Sequence, residues 1–130
     1  FIVNYDQNSN PLNITKSIEI VYGLRNFIGN ANKFSENKIF INIKSDSDFT
    51  EVMIEDDGEG YPKDVLSKIG EPYIKSFKSS IKSKSGLGLG IFIGKTLLEK
   101  NYANILCRNS QTRSGAEISI KWKNEDLLKL

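Results

Sequence analysis

The chain has 130 residues, with 18 basic and 16 acidic side chains and a net charge of +2. This length suits a single domain with a real core, and because charges of both signs are interspersed we expect no nucleic-acid partner. The absence of histidine excludes Ser-His and Cys-His nucleophile systems. The lone Cys107 excludes an internal disulfide and fits a reducing compartment. No apolar run reaches transmembrane length, so we expect a cytoplasmic domain.

Helix-period and strand-period segments alternate along the chain. Apolar side chains between residues 15 and 34 recur at three- and four-residue spacing (Val21, Leu24, Ile28 and Ala31), which is typical of an amphipathic helix. Alternating apolar residues at 39–44 and 50–55 predict two paired strands with a polar turn between them. The other predicted elements are a strand at 1–5, a short helix within 64–69, a helix that ends near residue 100, and strands at 102–108 and 117–122.

The order of these elements predicts one domain, residues 1–130, of the α+β class. It would be an α/β sandwich, with a mixed, largely antiparallel sheet and helices packed on one face. Residues 70–84 follow neither period and are rich in Lys and Ser. A loop of this length in a compact domain is usually functional or disordered. Because the chain starts at Phe1, we expect it to be a fragment of a longer protein.

The first polar cluster lies on the long predicted helix. Asn26, Asn30 and Lys33 are spaced to share one helical face, and Asn is a mediocre helix former. They could simply face solvent. Alternatively, an amide oxygen could ligate Mg²⁺, a hard cation that takes oxygen ligands, and the lysine could balance phosphate charge.

The second polar cluster, DDGEG at residues 56–60, follows a predicted strand directly. It could be an acidic surface turn. A carboxylate at a strand end can also accept a hydrogen bond from an exocyclic amine. Gly58 and Gly60 would let a flat base approach the backbone, because glycine has no side chain.

The third cluster is the run Gly86, Leu87, Gly88, Leu89, Gly90, which precedes a segment with Ile93 and Leu97 on one helical face. A helix N-terminus after a glycine loop presents unpaired N–H groups to an anion. The alternative is an ordinary turn before a core helix. The sequence is neither a Walker A loop nor a dinucleotide fingerprint, because the Lys-Ser/Thr pair and the GxGxxG spacing are both missing.

In this order the three clusters resemble the ATP-binding domain of sensor histidine kinases, in the superfamily that also contains gyrase, Hsp90 and MutL. The resemblance covers residues 18–122. The strings IEIVYGLRNFIGNANKFS, GEPYIKS and GLGLGIFIGKTLLEK look most like the RegB/ActS-type redox-responding kinases.

The resemblance implies ATP and Mg²⁺ as ligands and gives each cluster a role. Asn30 would ligate Mg²⁺, with Asn26 as its companion and Lys33 near the phosphates. Asp56 would contact the adenine, and residues 70–84 would be a mobile lid over the nucleotide. Other nucleotide contacts would come from Phe34, Gly58, Gly60, Gly86, Leu87, Gly88, Leu89 and Gly90.

Two positions depart from the family pattern. Gly29 stands where an acidic residue usually precedes the metal-binding asparagine. Ser114-Gly115-Ala116 stands where Gly-Gly-Thr is common, which removes a hydroxyl near the base.

The resemblance implies a protein histidine kinase domain of a two-component system, which transfers the γ-phosphate to a histidine on a separate dimerisation domain of the same protein. A response regulator would be its downstream partner. The full protein would be a membrane-anchored homodimer, and this fragment a monomer. An ATP hydrolase of the gyrase or Hsp90 type and a non-catalytic nucleotide-sensing module remain as alternatives.

Overall fold

The computed structural model describes residues 2–5, 14, 17–66 and 87–129. The elements within these residues are β1 Ile2–Tyr5, α1 Ile18–Phe34, β2 Ile39–Ser45, β3 Phe49–Asp56, α2 Lys63–Leu66, α3 Leu87–Lys100, β4 Asn104–Asn109, β5 Ala116–Lys123 and α4 Asn124–Leu127. The five strands of this part of the chain form one sheet in the order β1-β2-β3-β5-β4. β1 and β2 are parallel and every other neighbouring pair is antiparallel, so the predicted mixed, largely antiparallel sheet is confirmed.

Alternating apolar residues of the strands form the inner face of the sheet. Ile41 pairs with Ile54, and Ile54 pairs with Ile118 on the next strand. These side chains share one core with Phe27 of α1 and Ile91 of α3. The two long helices therefore cover one face of the sheet, which confirms the predicted sandwich.

Helix α1 begins at Ile18, because Ser17 caps it by accepting a hydrogen bond from the Ile20 N–H. The buried stripe matches the predicted one only in part. It runs through Ile20, Gly23, Phe27, Asn30 and Ala31, so the predicted Ala31 is buried, whereas Val21, Leu24 and Ile28 lie at its edge and are only partly buried. Apolar side chains thus extend beyond the buried stripe, and spacing alone misplaced its centre.

Helix α3 begins at Leu87, so the predicted glycine loop is already helical from residue 87 onward. Among residues 90–100 the buried positions are Ile91, Gly94 and Leu98. Ile93, predicted to share a helical face with Leu97, is 36% exposed. The buried face includes Gly94 because a residue without a side chain lets α1 approach α3 closely on that side.

Several element boundaries also differ from the predictions. The strand predicted from residue 102 begins at Asn104, because Tyr102 takes a positive φ of 74° where α3 ends. The predicted short helix is present as α2 over Lys63–Leu66, and α4 had not been predicted. The predicted loop at residues 70–84 and Gly86 lie outside the described residues.

Within the described ranges, no helix is both long and apolar enough to cross a membrane.

Candidate nucleotide-binding site

Strand register explains where the acid of the second cluster points. Side chains two residues apart on a strand share a face, so Asp56 lies on the same face as Ile54, beneath the helices. It is directly opposite Ile39 on β2 and is only 3% exposed. The carboxyl group is therefore almost completely removed from water at the end of β3.

Backbone N–H groups hold the Asp56 carboxylate from two directions. Its Oδ1 atom accepts hydrogen bonds from the Gly58 N–H at 2.9 Å and from the Ala116 N–H at 3.2 Å. The second donor comes from the start of β5, so the site needs the β4–β5 loop as well as the DDGEG turn. Hydrogen bonds to a charged group in a desolvated place are strong, which fixes the orientation of this side chain.

Two glycines permit this arrangement. A Cβ atom on Gly115 would lie 2.5 Å from the carbonyl carbon of Asp56 and would overlap its carbonyl and carboxylate oxygens. A Cβ on Gly58 would overlap the carbonyl oxygen of Phe34, at the end of α1. The turn, the β4–β5 loop and the last residue of α1 are thus in direct backbone contact.

A reciprocal pair of hydrogen bonds holds the far side of the turn. The Tyr61 N–H donates to Asn109 Oδ1 at 2.6 Å, and Asn109 Nδ2 donates to the Tyr61 carbonyl at 2.9 Å. Gly60 takes a positive φ of 79°, and a Cβ there would lie 2.7 Å from Asn109 Oδ1. Burial raises the pKa of the Tyr61 phenol well above its usual value, so this ring is neutral and part of the core.

Asn30 lies where α1 meets the start of α3. Its side chain is 9% exposed, and its Oδ1 atom faces Gly90, at 3.7 Å from where a Cβ on that residue would stand. The first N–H groups of a helix have no partner within the helix, and they carry a partial positive charge. The structure therefore brings a buried amide oxygen beside the N-terminal turn of α3.

The close packing of two antiparallel helices determines this juxtaposition. A Cβ on Gly23 of α1 would lie 2.5 Å from Leu98 Cγ, and a Cβ on Gly94 of α3 would lie 3.1 Å from Phe27 Cε2. At the other end of the pair, Lys100 forms an ion pair with Glu19 at 3.3 Å. These contacts set the register in which Asn30 meets Gly90.

The remaining predicted site residues lie on the same two helices, α1 and α3. Asn26 donates from Nδ2 to the Tyr22 carbonyl at 2.8 Å, within its own helix. Lys33 is exposed, and Phe34 is partly buried against the core. The backbones of Leu87, Gly88 and Leu89 form the first turn of α3. Asp56, Gly58 and Phe34 form one group of contacts and Asn30 and Gly90 a second, one helical turn away along α1.

The Asn30 amide oxygen is the candidate protein ligand for a magnesium ion. The described residues contain no group of three or more His, Cys, Asp or Glu side chains that could hold a metal alone. Mg²⁺ commonly takes one or two protein oxygens and completes its shell with water and substrate phosphates. The Asn30 amide oxygen, next to a helix N-terminus suited to phosphate, fits that kind of site.

Sequence reasoning missed the residues that hold the β4–β5 loop. Glu55, on the outer face of the sheet, accepts a hydrogen bond from Ser110 Oγ at 2.8 Å and lies 3.5 Å from Arg113 Nε. The Arg113 guanidinium stacks on the Phe40 ring at 3.5 Å. The charged residues of this loop were visible in the sequence, but their partners are more than fifty positions away.

Comparison with known proteins agrees with this fold. Residues 15–126 match the family of histidine kinase-, DNA gyrase B-, and HSP90-like ATPases. The chain belongs to this family. It is 33% identical over 131 residues to the sensor histidine kinase RegB of Cereibacter sphaeroides, a match that covers 88% of this chain and 28% of RegB.

Solved structures show the same fold. The mycobacterial sensor histidine kinase MprB superposes with a TM-score of 0.68 at 20% identity, over 93% of this chain and 83% of that one. Full-length ShkA, solved in complex with AMPPNP, gives a TM-score of 0.70 at 20% identity and covers 93% of this chain and 25% of that one. The chain is thus similar to the catalytic domains of sensor histidine kinases and spans a minor part of RegB and ShkA.

Proposed function

We propose that this chain binds Mg·ATP and donates the γ-phosphate to a histidine on a phosphoacceptor and dimerisation domain of the same protein. The observation that carries the proposal is the position of Asn30, a buried amide on α1 beside Gly90 in the first turn of α3. In an ATPase family, an oxygen ligand next to a helix N-terminus is a place for a cation and the phosphates it accompanies.

In this proposal the ligand lies along the C-terminal half of α1. The adenine amine donates to the Asp56 carboxylate, whose orientation the Gly58 and Ala116 N–H groups fix. Phe34 and Gly60 lie near the base. The triphosphate extends toward Gly88 and Gly90, where the N–H groups at the start of α3 face it, with Leu87 as the first residue of that helix.

Asn30 would supply one oxygen to Mg²⁺, which when bound offsets the negative charge of the phosphates. Lys33, one turn further along α1, would add positive charge near them. Phosphoryl transfer depends mainly on positioning and charge neutralisation, and these residues provide both without a nucleophile of the domain's own.

Asn26 favours transfer to a histidine over hydrolysis. The resemblance implies that hydrolases of the superfamily have at this position a glutamate that activates water. An amide cannot accept a proton at neutral pH, and Asn26 Nδ2 is engaged with the Tyr22 carbonyl. Water would therefore lack a base at this place, whereas an incoming imidazole is already a nucleophile.

The partners follow from this role. The phosphoacceptor domain would receive the phosphoryl group and a response regulator would take it onward in a two-component pathway. The full protein would be a membrane-anchored homodimer with this domain on the cytoplasmic side, and the chain alone would be a monomer.

The test uses purified chain, [γ-³²P]ATP with Mg²⁺, and a separately produced histidine-containing dimerisation domain from a related kinase. We expect acid-labile label on that domain and little phosphate release. Asn30→Ala should abolish transfer while leaving the unfolding transition near that of the wild type.

Three results would contradict the proposal. Steady phosphate release without the acceptor would favour a hydrolase, and tight ATP binding with no transfer to any acceptor would favour a nucleotide-sensing module. Transfer by Asn30→Ala at the wild-type rate would show that Asn30 is not the metal ligand.

A further inference from the structure

Three consecutive acids, Glu55 and Asp56 at the end of β3 and Asp57 directly after it, have three different sets of side-chain partners. Glu55 contacts the β4–β5 loop from the outer face of the sheet, and Asp56 accepts from Gly58 and Ala116. Asp57 has neither of these sets of partners. No step of the proposed function uses the Asp57 side chain, yet its carboxylate, like that of Asp56, accepts hydrogen bonds from backbone N–H groups.

The Asp57 carboxylate accepts hydrogen bonds from the segment that leaves α1. Its Oδ1 atom lies 2.9 Å from the Glu36 nitrogen and 3.0 Å from the Asn37 nitrogen, and its Oδ2 atom lies 3.2 Å from the Asn37 nitrogen. The backbone N–H of Asn37, together with those of Lys38 and Glu36, lowers the pKa of this carboxyl below 3.8. The group is therefore ionised at neutral pH and holds the first residues after the helix.

The backbone of the same residue contacts the β4–β5 loop. The Asp57 carbonyl accepts a hydrogen bond from Ser114 Oγ at 3.3 Å, immediately before Gly115, which touches Asp56. On the other side of Asp57, Gly58 packs against the Phe34 carbonyl. Residue 57 thus joins the end of α1, the acidic turn and the β4–β5 loop.

From these contacts we propose that Asp57 is a positioning residue that sets the distance between the base end and the phosphate end of the nucleotide site. The inference rests on the proposed function. Residues 36–37 come just after α1, and Asn30 lies one helical turn before Phe34, the last residue of that helix. Asp56 is the last residue of β3, so Asp57 links the helix end that carries Asn30 to the strand end that carries Asp56.

The experiment compares ligands that occupy one end or both ends of the site. Affinities for adenosine, for ATP with EDTA and for ATP with Mg²⁺ are measured by calorimetry on the wild type, Asp57→Ala and Asp57→Asn. For Asp57→Ala we expect adenosine affinity within about twofold of the wild type. The factor by which Mg²⁺ tightens ATP binding should fall by about tenfold, because Asn30 would no longer stand at its wild-type distance from the base end of the site.

Asp57→Asn should lower the Mg²⁺ factor less than Asp57→Ala does, because its amide oxygen still accepts hydrogen bonds from the Glu36 and Asn37 N–H groups but has no charge. Asp46→Ala is the matched control. Asp46 is an exposed aspartate whose pKa is lowered, as is that of the partly buried Asp57. Its Oδ1 atom accepts from the Asp48 and Phe49 N–H groups at 2.8 and 2.7 Å. It lies before β3 begins, about 23 Å or more from Asp57 along an eight-residue strand.

Removal of a purely structural anchor would lower the unfolding free energy in both Asp57→Ala and Asp46→Ala without changing the Mg²⁺ factor. The inference is therefore overturned if Asp57→Ala keeps the wild-type Mg²⁺ factor, if it weakens adenosine and Mg·ATP equally, or if Asp46→Ala reproduces its effect. A wild type that binds neither adenosine nor ATP refutes the proposed function, and this inference with it.

Discussion

Replacing Gly115 by alanine tests whether the β4–β5 loop must touch Asp56. The new Cβ would lie 2.5 Å from the Asp56 carbonyl carbon, whereas carbon atoms in contact are normally about 3.5–4.0 Å apart. The backbone at Gly115 or the backbone at Asp56 must therefore move away by about 1 Å. This movement lengthens the hydrogen bond from the Ala116 N–H to Asp56 Oδ1, now 3.2 Å, to about 4 Å, which is beyond hydrogen-bonding range.

The loss of that bond sets the expected size of the effect. A hydrogen bond to a charged group contributes about 1.5–3 kcal/mol, so the unfolding free energy of Gly115→Ala should fall by about that amount. ATP affinity should fall by about one to two decades, because the Asp56 carboxylate loses its fixed orientation. Urea titration followed by the fluorescence of the single Trp122, which is buried, gives the first quantity and calorimetry gives the second.

Gly29→Ala is the matched control for the same chemical change. A Cβ on Gly29 meets no atom within 4 Å, and Gly29 lies inside α1, so alanine should raise the unfolding free energy by about 0.5–1 kcal/mol. Its ATP affinity should stay within about twofold of the wild type. If Gly115→Ala is as stable as the wild type and binds ATP equally well, the role given to the β4–β5 loop is wrong.

Three further predictions concern other parts of the fold. Tyr102→Gly should raise the unfolding free energy by about 0.5–1 kcal/mol, because glycine adopts the φ of 74° at the end of α3 without strain. An unchanged urea midpoint would contradict this expectation. Gly23→Ala should lower the unfolding free energy by about 1–3 kcal/mol, since its Cβ would stand 2.5 Å from the Leu98 side chain. A urea midpoint equal to that of the wild type would show that α1 and α3 accommodate the methyl group without loss of stability. Burial raises the pKa of the Cys107 thiol from 9.0 to about 11, so in the folded protein its rate of reaction with a thiol reagent should rise with a midpoint near pH 11. The unfolding free energy should decline between pH 9 and 11, because only the thiol of the unfolded chain ionises in that range. A reactivity midpoint near pH 9 would be inconsistent with the burial.

The strands could be predicted closely, because alternation shows which side chains share a face. The predicted pairing of the strands at 39–44 and 50–55 is present as β2 and β3. The helices could not be oriented as well, since both are apolar around much of their circumference. Gly23 and Gly94 mark the contact between them, and a glycine inside a helix has no apolar side chain that would reveal a buried face.

The candidate site was partly visible in the sequence, because its polar clusters interrupt apolar elements. Asp56 and Asn30 could be selected on that basis. The partners of Asp56 and Asp57 could not, because the donors are backbone N–H groups of residues 36, 37, 58 and 116. Backbone donors exist at almost every position, so only the folded arrangement shows which of them a carboxylate contacts.

We propose that Asp56 binds the adenine of ATP, and the most direct test is calorimetry of ATP binding to the wild type and to Asp56→Asn. Asparagine keeps the size of the side chain but has no charge, and its amide can present a donor to the adenine amine. We predict measurable binding by the wild type and an affinity about one to two decades lower for Asp56→Asn, with folding checked by Trp122 fluorescence. Equal affinity of two folded proteins for ATP would contradict the account.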